Sequence, residues 1–103
     1  MDKKIIITGA GSGIGRITAT TFLGAGWQVG LIGRRQKPLE ATADGNDRAL
    51  ILPCDVGDAE SVKSAFATAR TQWGRLDALF NNAGIGSQAR TIDETDVETW
   101  LDI

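Results

Sequence analysis

The chain contains no histidine and no tyrosine among its 103 residues. Histidine is the side chain best suited to carrying protons near neutral pH, and tyrosine is another of the usual carriers. Acid–base chemistry in this sequence therefore falls to carboxylates, lysines and one thiol. The same scarcity removes a His/Cys zinc site. Cysteine occurs once, as Cys54, which excludes a disulfide framework and makes a reducing cytoplasm the expected compartment. No run approaches the ~20 apolar residues of a membrane-spanning helix. The opening Lys3-Lys4-Ile5-Ile6-Ile7 superficially resembles a signal peptide, but its apolar run stops at Thr8-Gly9 after three isoleucines, too short for a signal core. A strongly basic character is also absent. With a net charge of −2 and a pI of about 4.9, neither nucleic acid nor an anionic membrane is expected as the main partner.

What remains is ordinary for a soluble globular protein: 42% hydrophobic and 23% charged residues. The length fits one domain, and a chain of this size buries only about 60–68% of its unfolded surface. Residues 3–8 form a short β-branched run that ends in glycines, the pattern of a fully buried strand in a parallel sheet. Residues 13–24 read as a helix, with Ile14, Ile17 and Thr21 on one face, Phe22 and Ala25 flanking it, and Gly24 and Gly26 as the stop. A second strand is expected over 27–32, a short helix over 36–43 with Pro38 in its first turn, and a third strand over 49–53. Asp58 reads as an N-cap. Val62, Ala65, Phe66, Ala69 and Trp73 follow at helical spacing, and Gly74 ends the helix. A fourth strand is expected over 76–80, a loop from Asn81 to Thr91, and the start of a helix over 95–103. Strands alternating with helical crossovers predict an α/β fold, a Rossmann-type doubly wound parallel sheet of four strands in the order 3-2-1-4.

Thr8-Gly9-Ala10-Gly11-Ser12-Gly13-Ile14-Gly15 lies between the first strand and the first helix. Amides at a helix N-terminus have no intrahelical acceptor, and the helix dipole favours an anion there. Glycines let the backbone turn sharply and approach a pyrophosphate without a Cβ in the way. The common G-x-G-x-x-G spacing fails from each possible start. The spacing that fits is T-G-x-x-x-G-x-G, using Thr8, Gly9, Gly13 and Gly15. A merely flexible glycine-rich loop is the competing account, and a strand before with a helix after weighs against it.

The sequence TGAGSGIG, followed in order by Cys54-Asp55-Val56 and Asn81-Asn82-Ala83-Gly84, resembles the short-chain dehydrogenase/reductase superfamily in its compact single-domain form. The resemblance covers essentially the whole chain. It implies a dinucleotide cofactor held at Gly9, Ser12, Gly13, Ile14 and Gly15. It further implies that Asp55 and Val56 border the adenine ring, that Asn81 stabilises the sheet and lines the cofactor site, and that Ala83 and Gly84 leave room beside the ribose. Taken without the resemblance, Asp55 is a helix-entry acid and Asn81 to Gly84 an ordinary Asn/Gly turn.

The end of the second strand in such a unit meets the adenosine ribose. An acid there selects NAD, whereas an arginine accommodates the 2′-phosphate of NADP. Here Gly33 stands where the acid is expected, Arg34 and Arg35 follow, and Lys37 is close by. A guanidinium pairs with phosphate through two hydrogen bonds and a carboxylate repels it. The expectation is NADP(H) over NAD(H), with Arg34 as the main contact and Arg35 beside it. Two arginines after a strand are, by themselves, also an ordinary solvated turn. Trp27, Trp73 and Trp100 read as packing residues, and the acids Asp93, Glu94, Asp96 and Glu98 as a helix-start bias.

The family's hydride transfer uses a tyrosine, a lysine four residues later, a serine and an asparagine. None is assignable here, since tyrosine is missing and the asparagine is expected a few residues past Ile103. The chain is thus expected to be the cofactor-binding portion of an NADP(H)-dependent oxidoreductase, acting on a small carbonyl or alcohol when complete and homo-oligomeric in that form. By itself it is expected to bind weakly, to reduce no carbonyl, and to expose its fourth strand as a bare edge prone to self-association. The alternative is a non-catalytic nucleotide-binding module. Methyltransferases and flavoproteins of the same topology fit the glycine spacing less well.

Overall fold

The computed structural model describes residues 3–81 and the backbone of 89–91. Its elements in chain order are β1 (Lys4–Thr8), α1 (Gly13–Gly24), β2 (Gln28–Gly33), α2 (Gln36–Ala43), β3 (Ala49–Pro53), α3 (Ala59–Trp73), β4 (Ala78–Phe80) and β5 (Ala89–Thr91). The sheet order is β3-β2-β1-β4-β5. β1 pairs in parallel with β2 and β4, and β2 in parallel with β3, so the doubly wound 3-2-1-4 arrangement read from the sequence is present. The expected helix over 95–103, Trp100 and the acidic run before it lie outside the described residues.

Strand periodicity explains why both faces of the sheet are covered. Successive side chains of a strand point to opposite faces. Ile5 and Ile7 pack on one side with Ala19 and Leu23 of α1 and Leu39 and Ala43 of α2. Ile6 packs on the other with Ala65, Phe66 and Ala69 of α3. A strand buried on both faces must be apolar throughout, which is what three consecutive isoleucines supply.

The third helix is built as its sequence predicts. The Asp58 side chain accepts from the Glu60 amide at 3.1 Å. Gly74 closes the helix at φ +78°, its amide donating to the Arg70 carbonyl. Trp27 meets Phe22 edge-on, with ring centroids 4.8 Å apart, and Trp73 is half-buried against the same core as α3, so both are packing residues as expected. Cys54 is buried.

Two expectations need correction. The face of α1 turned to the sheet is Gly15, Ala19 and Leu23, not Ile14, Ile17 and Thr21; Ile14 and Ile17 are 67% and 66% exposed. Small side chains at 15 and 19 bring the helix close to the strands, and helix–sheet fit outweighs side-chain hydrophobicity. The second correction concerns β4, which is not a bare edge. Ala89–Thr91, read as loop, pairs with it antiparallel, Leu79 opposite Arg90. The chain's own return satisfies backbone groups that would otherwise stay unpaired.

Among the described residues, no helix is long and apolar enough to cross a membrane, and no cluster of three or more His, Cys, Asp or Glu could hold a metal ion.

Candidate functional site

Parallel strands end on the same side, so the segments that follow β1, β2, β3 and β4 converge on one edge of the sheet. That edge receives the glycine turn, the two arginines, Asp55-Val56 and Asn81.

The turn after β1 is shaped by backbone conformation. Gly9 and Gly13 have φ of +64° and +54°, the left-handed region that a side chain disfavours. The Ala10 amide donates to the Ile32 carbonyl at 3.0 Å, anchoring the turn to β2. Ser12 is extended and its side chain makes no capping bond. The Arg16 amide, donating to the Ser12 carbonyl at 3.2 Å, begins the α1 ladder. The amides of Gly13, Ile14 and Gly15 therefore precede any intrahelical donor. Ser12, Gly13 and Ile14 are exposed, and the mouth of the turn is open. Positive helix-end potential and uncapped amides suit an anion.

Arg34 and Arg35 follow β2 directly, and both are exposed. Arg35 occupies the N-cap position of α2 without capping it. Gly33, where an acid would select NAD, is hemmed in: a Cβ there would lie 3.0 Å from Leu39 Cδ2.

Asp55 is held by local bonds, its carbonyl accepting from the Asp58 amide at 2.9 Å. Its amide donates to Ser61 Oγ at 3.0 Å, and its Oδ1 accepts from the Gly57 amide at 2.9 Å. It is not the acid at the helix start, because Asp58 is the cap. Val56 is 40% exposed and lines a cavity of about 150 Å³ together with Thr8, Ile32, Cys54, Val62, Phe66 and Asn81. Pockets for whole drug-sized ligands run roughly 300–1,000 Å³, so this one is smaller than such a site. At its rim, Thr8 Oγ donates to Asn81 Oδ1 at 3.0 Å, fastening the end of β1 to the end of β4.

The site residues expected from the sequence fall along this single edge: Gly9, Ser12, Gly13, Ile14, Gly15, Arg34, Arg35, Asp55, Val56 and Asn81. Ala83 and Gly84 lie outside the described residues. Sequence reasoning missed what stands behind the turn. Arg16 Nη2 donates to the Gly11 carbonyl, and its Nε donates to Thr42 Oγ at 3.1 Å. Thr42 Oγ in turn lies 2.8 Å from the Ala10 carbonyl. Arg16 and Thr42 are 26 residues apart, so no local spacing rule links them.

Comparison with known proteins adds a family. A family model for short chain dehydrogenases matches residues 3–103. The 3beta-hydroxysteroid dehydrogenase of Mediterraneibacter gnavus is 31% identical over 99% of this chain and 38% of its own length. The sulfoacetaldehyde reductase of Chromohalobacter salexigens is 37% identical over 97% of this chain and 41% of its own. Among solved structures, 3-ketoacyl-(acyl-carrier-protein) reductase from Brucella melitensis, complexed with NADH, superposes with a TM-score of 0.76 at 38% identity. That match covers 82% of this chain and 35% of the other. The chain thus spans about two fifths of the length of these curated relatives.

Proposed function

The chain belongs to the short-chain dehydrogenase family, and on that premise we propose that it forms the cofactor-binding part of an NADP(H)-dependent oxidoreductase reducing a carbonyl or oxidising an alcohol. The observation that carries the reading is the pairing of an open, uncapped amide turn with two exposed guanidinium groups after a β2 strand that ends in glycine. Neither the Arg34 nor the Arg35 side chain makes a hydrogen bond or ion pair among the described residues. The amides of Gly13 to Gly15 suit a pyrophosphate, the arginines a 2′-phosphate, and the cavity beside Val56 an adenine ring. When bound, the cofactor would supply the hydride.

On this reading the residues of this chain bind and orient the cofactor, and the tyrosine by which the family passes the proton is not among them. With no tyrosine and no histidine, the chain offers neither of these proton donors for a carbonyl oxygen. We therefore propose that this chain by itself binds dinucleotide without reducing a carbonyl.

Titration of the purified chain with NADPH and with NADH tests the reading. A charge-assisted bond to the extra phosphate is worth about 1.5–3 kcal/mol, so NADPH should bind roughly tenfold or more tightly. Equal affinity for the two would refute NADP preference. Binding of neither would remove the dinucleotide site altogether.

A further inference from the structure

A turn that offers its amides to an anion must keep its carbonyls elsewhere, because a carbonyl oxygen facing a phosphate repels it. In this turn both carbonyls that precede Ser12 are tied back. The Ala10 carbonyl accepts from Thr42 Oγ at 2.8 Å. The Gly11 carbonyl accepts from Arg16 Nη2. The same guanidinium donates through Nε to Thr42 Oγ at 3.1 Å, so one hydroxyl and one guanidinium hold two successive peptide units. Thr42 is 3% exposed, which shields its share of this network from water. Behind the turn there is no slack: a Cβ on Gly11 would lie 2.8 Å from Pro38 Cβ.

We propose that Arg16, acting with Thr42, is a positioning residue of the dinucleotide site: it fixes the Ala10 and Gly11 peptides so that the following amides face the pyrophosphate. The inference rests on the dinucleotide reading of this same turn. Arg16 is exposed on the first turn of α1, but its guanidinium is engaged by the protein, bonded to a carbonyl and a hydroxyl. Its contribution is therefore shared by any dinucleotide, with or without the 2′-phosphate. Arg34 and Arg35 differ in this respect, since their contribution is specific to the extra phosphate.

The test uses the 103-residue chain and two probes, NADPH and NADH. Loss of a bond to a charged group is of the size that changes affinity about tenfold. R16M keeps the alkyl stem and should weaken both probes by the same factor, about tenfold. T42V should follow R16M, T42S should bind like the unaltered chain, and R16M/T42V should be no weaker than R16M, because the pair acts as one unit. If R16M does not fold, the T42V and T42S pair carries the same comparison. Unchanged affinity in R16M and T42V overturns the proposal. A loss confined to NADPH also overturns it, by placing Arg16 on the 2′-phosphate. Failure of the unaltered chain to bind either probe overturns the dinucleotide reading itself, and this inference with it.

Discussion

Leu39 occupies the space beside Gly33: the Cβ that Gly33 lacks would lie 3.0 Å from Leu39 Cδ2, and Leu39 is fully buried. The absence of an acid at the end of β2 is thus matched by packing as well as by charge. Gly33→Asp should cost stability of the overpacking kind, about 1–3 kcal/mol. It should also fail to create tight NADH binding, because the carboxylate cannot settle without moving Leu39. Gly33→Asp with Leu39→Ala relieves the clash and should bind NADH better than Gly33→Asp alone. Thermal melts and NADH titrations of the single and double variants check both points. A single variant that melts like the unaltered chain would show that Leu39 yields freely.

Arg34 and Arg35 should act on NADPH alone. Arg34→Ala should weaken NADPH by roughly ten- to hundredfold, the worth of a charge-assisted bond to the phosphate, and leave NADH within a factor of two. Arg35→Ala should have the same sign and a smaller size. Because both groups are exposed, the NADPH advantage should shrink as salt rises toward 1 M, where the screening length falls to about 3 Å. Titrations at two ionic strengths measure it. An advantage that survives both substitutions would assign the discrimination to other residues.

Much of this fold was legible because the deciding interactions are local or periodic. Ile5, Ile6 and Ile7 announce a strand buried on both faces, and Asp58 and Gly74 bracket α3 with a cap and a stop that act within one turn. The glycine spacing located the turn for the same reason. What stayed hidden depends on partners distant in sequence. The inward face of α1 was misread because Ile14 and Ile17 outrank Gly15 and Ala19 on any hydrophobicity scale, yet the small pair fits the sheet. β5 has three residues and no alternating pattern of its own, since it exists only by pairing with β4. Arg16 and Thr42 meet only after α1 and α2 have docked on the same side of the sheet.

The Thr8 hydroxyl ties the end of β1 to the end of β4 at the edge that carries the glycine turn. Thr8→Val keeps the shape and leaves Asn81 Oδ1 without that donor. A net hydrogen bond is worth about 0.5–1.5 kcal/mol, and the variant should lose a stability in that range, read from the denaturant midpoint at unchanged slope. Dinucleotide affinity should fall too, because Thr8 and Asn81 both line the cavity beside Val56. Lost stability with intact affinity would make the contact purely a sheet fastening.

Asp58 separates the stability of the site from its binding chemistry. It caps α3 by accepting from the Glu60 amide at 3.1 Å, and its own amide donates to the Asp55 carbonyl at 2.9 Å. Removing a capping side chain costs about 0.5–2 kcal/mol, so Asp58→Ala should lower the unfolding free energy by that amount. Asp58→Ser and Asp58→Asn keep an acceptor and should recover most of it. The main-chain bond to Asp55 survives all three substitutions, so the loop that carries Val56 keeps its anchor. The ratio of NADPH to NADH affinity should then be the same in every variant. A shift in that ratio would mean that the α3 terminus contributes directly to holding the 2′-phosphate, and the assignment of that phosphate to Arg34 would have to be abandoned.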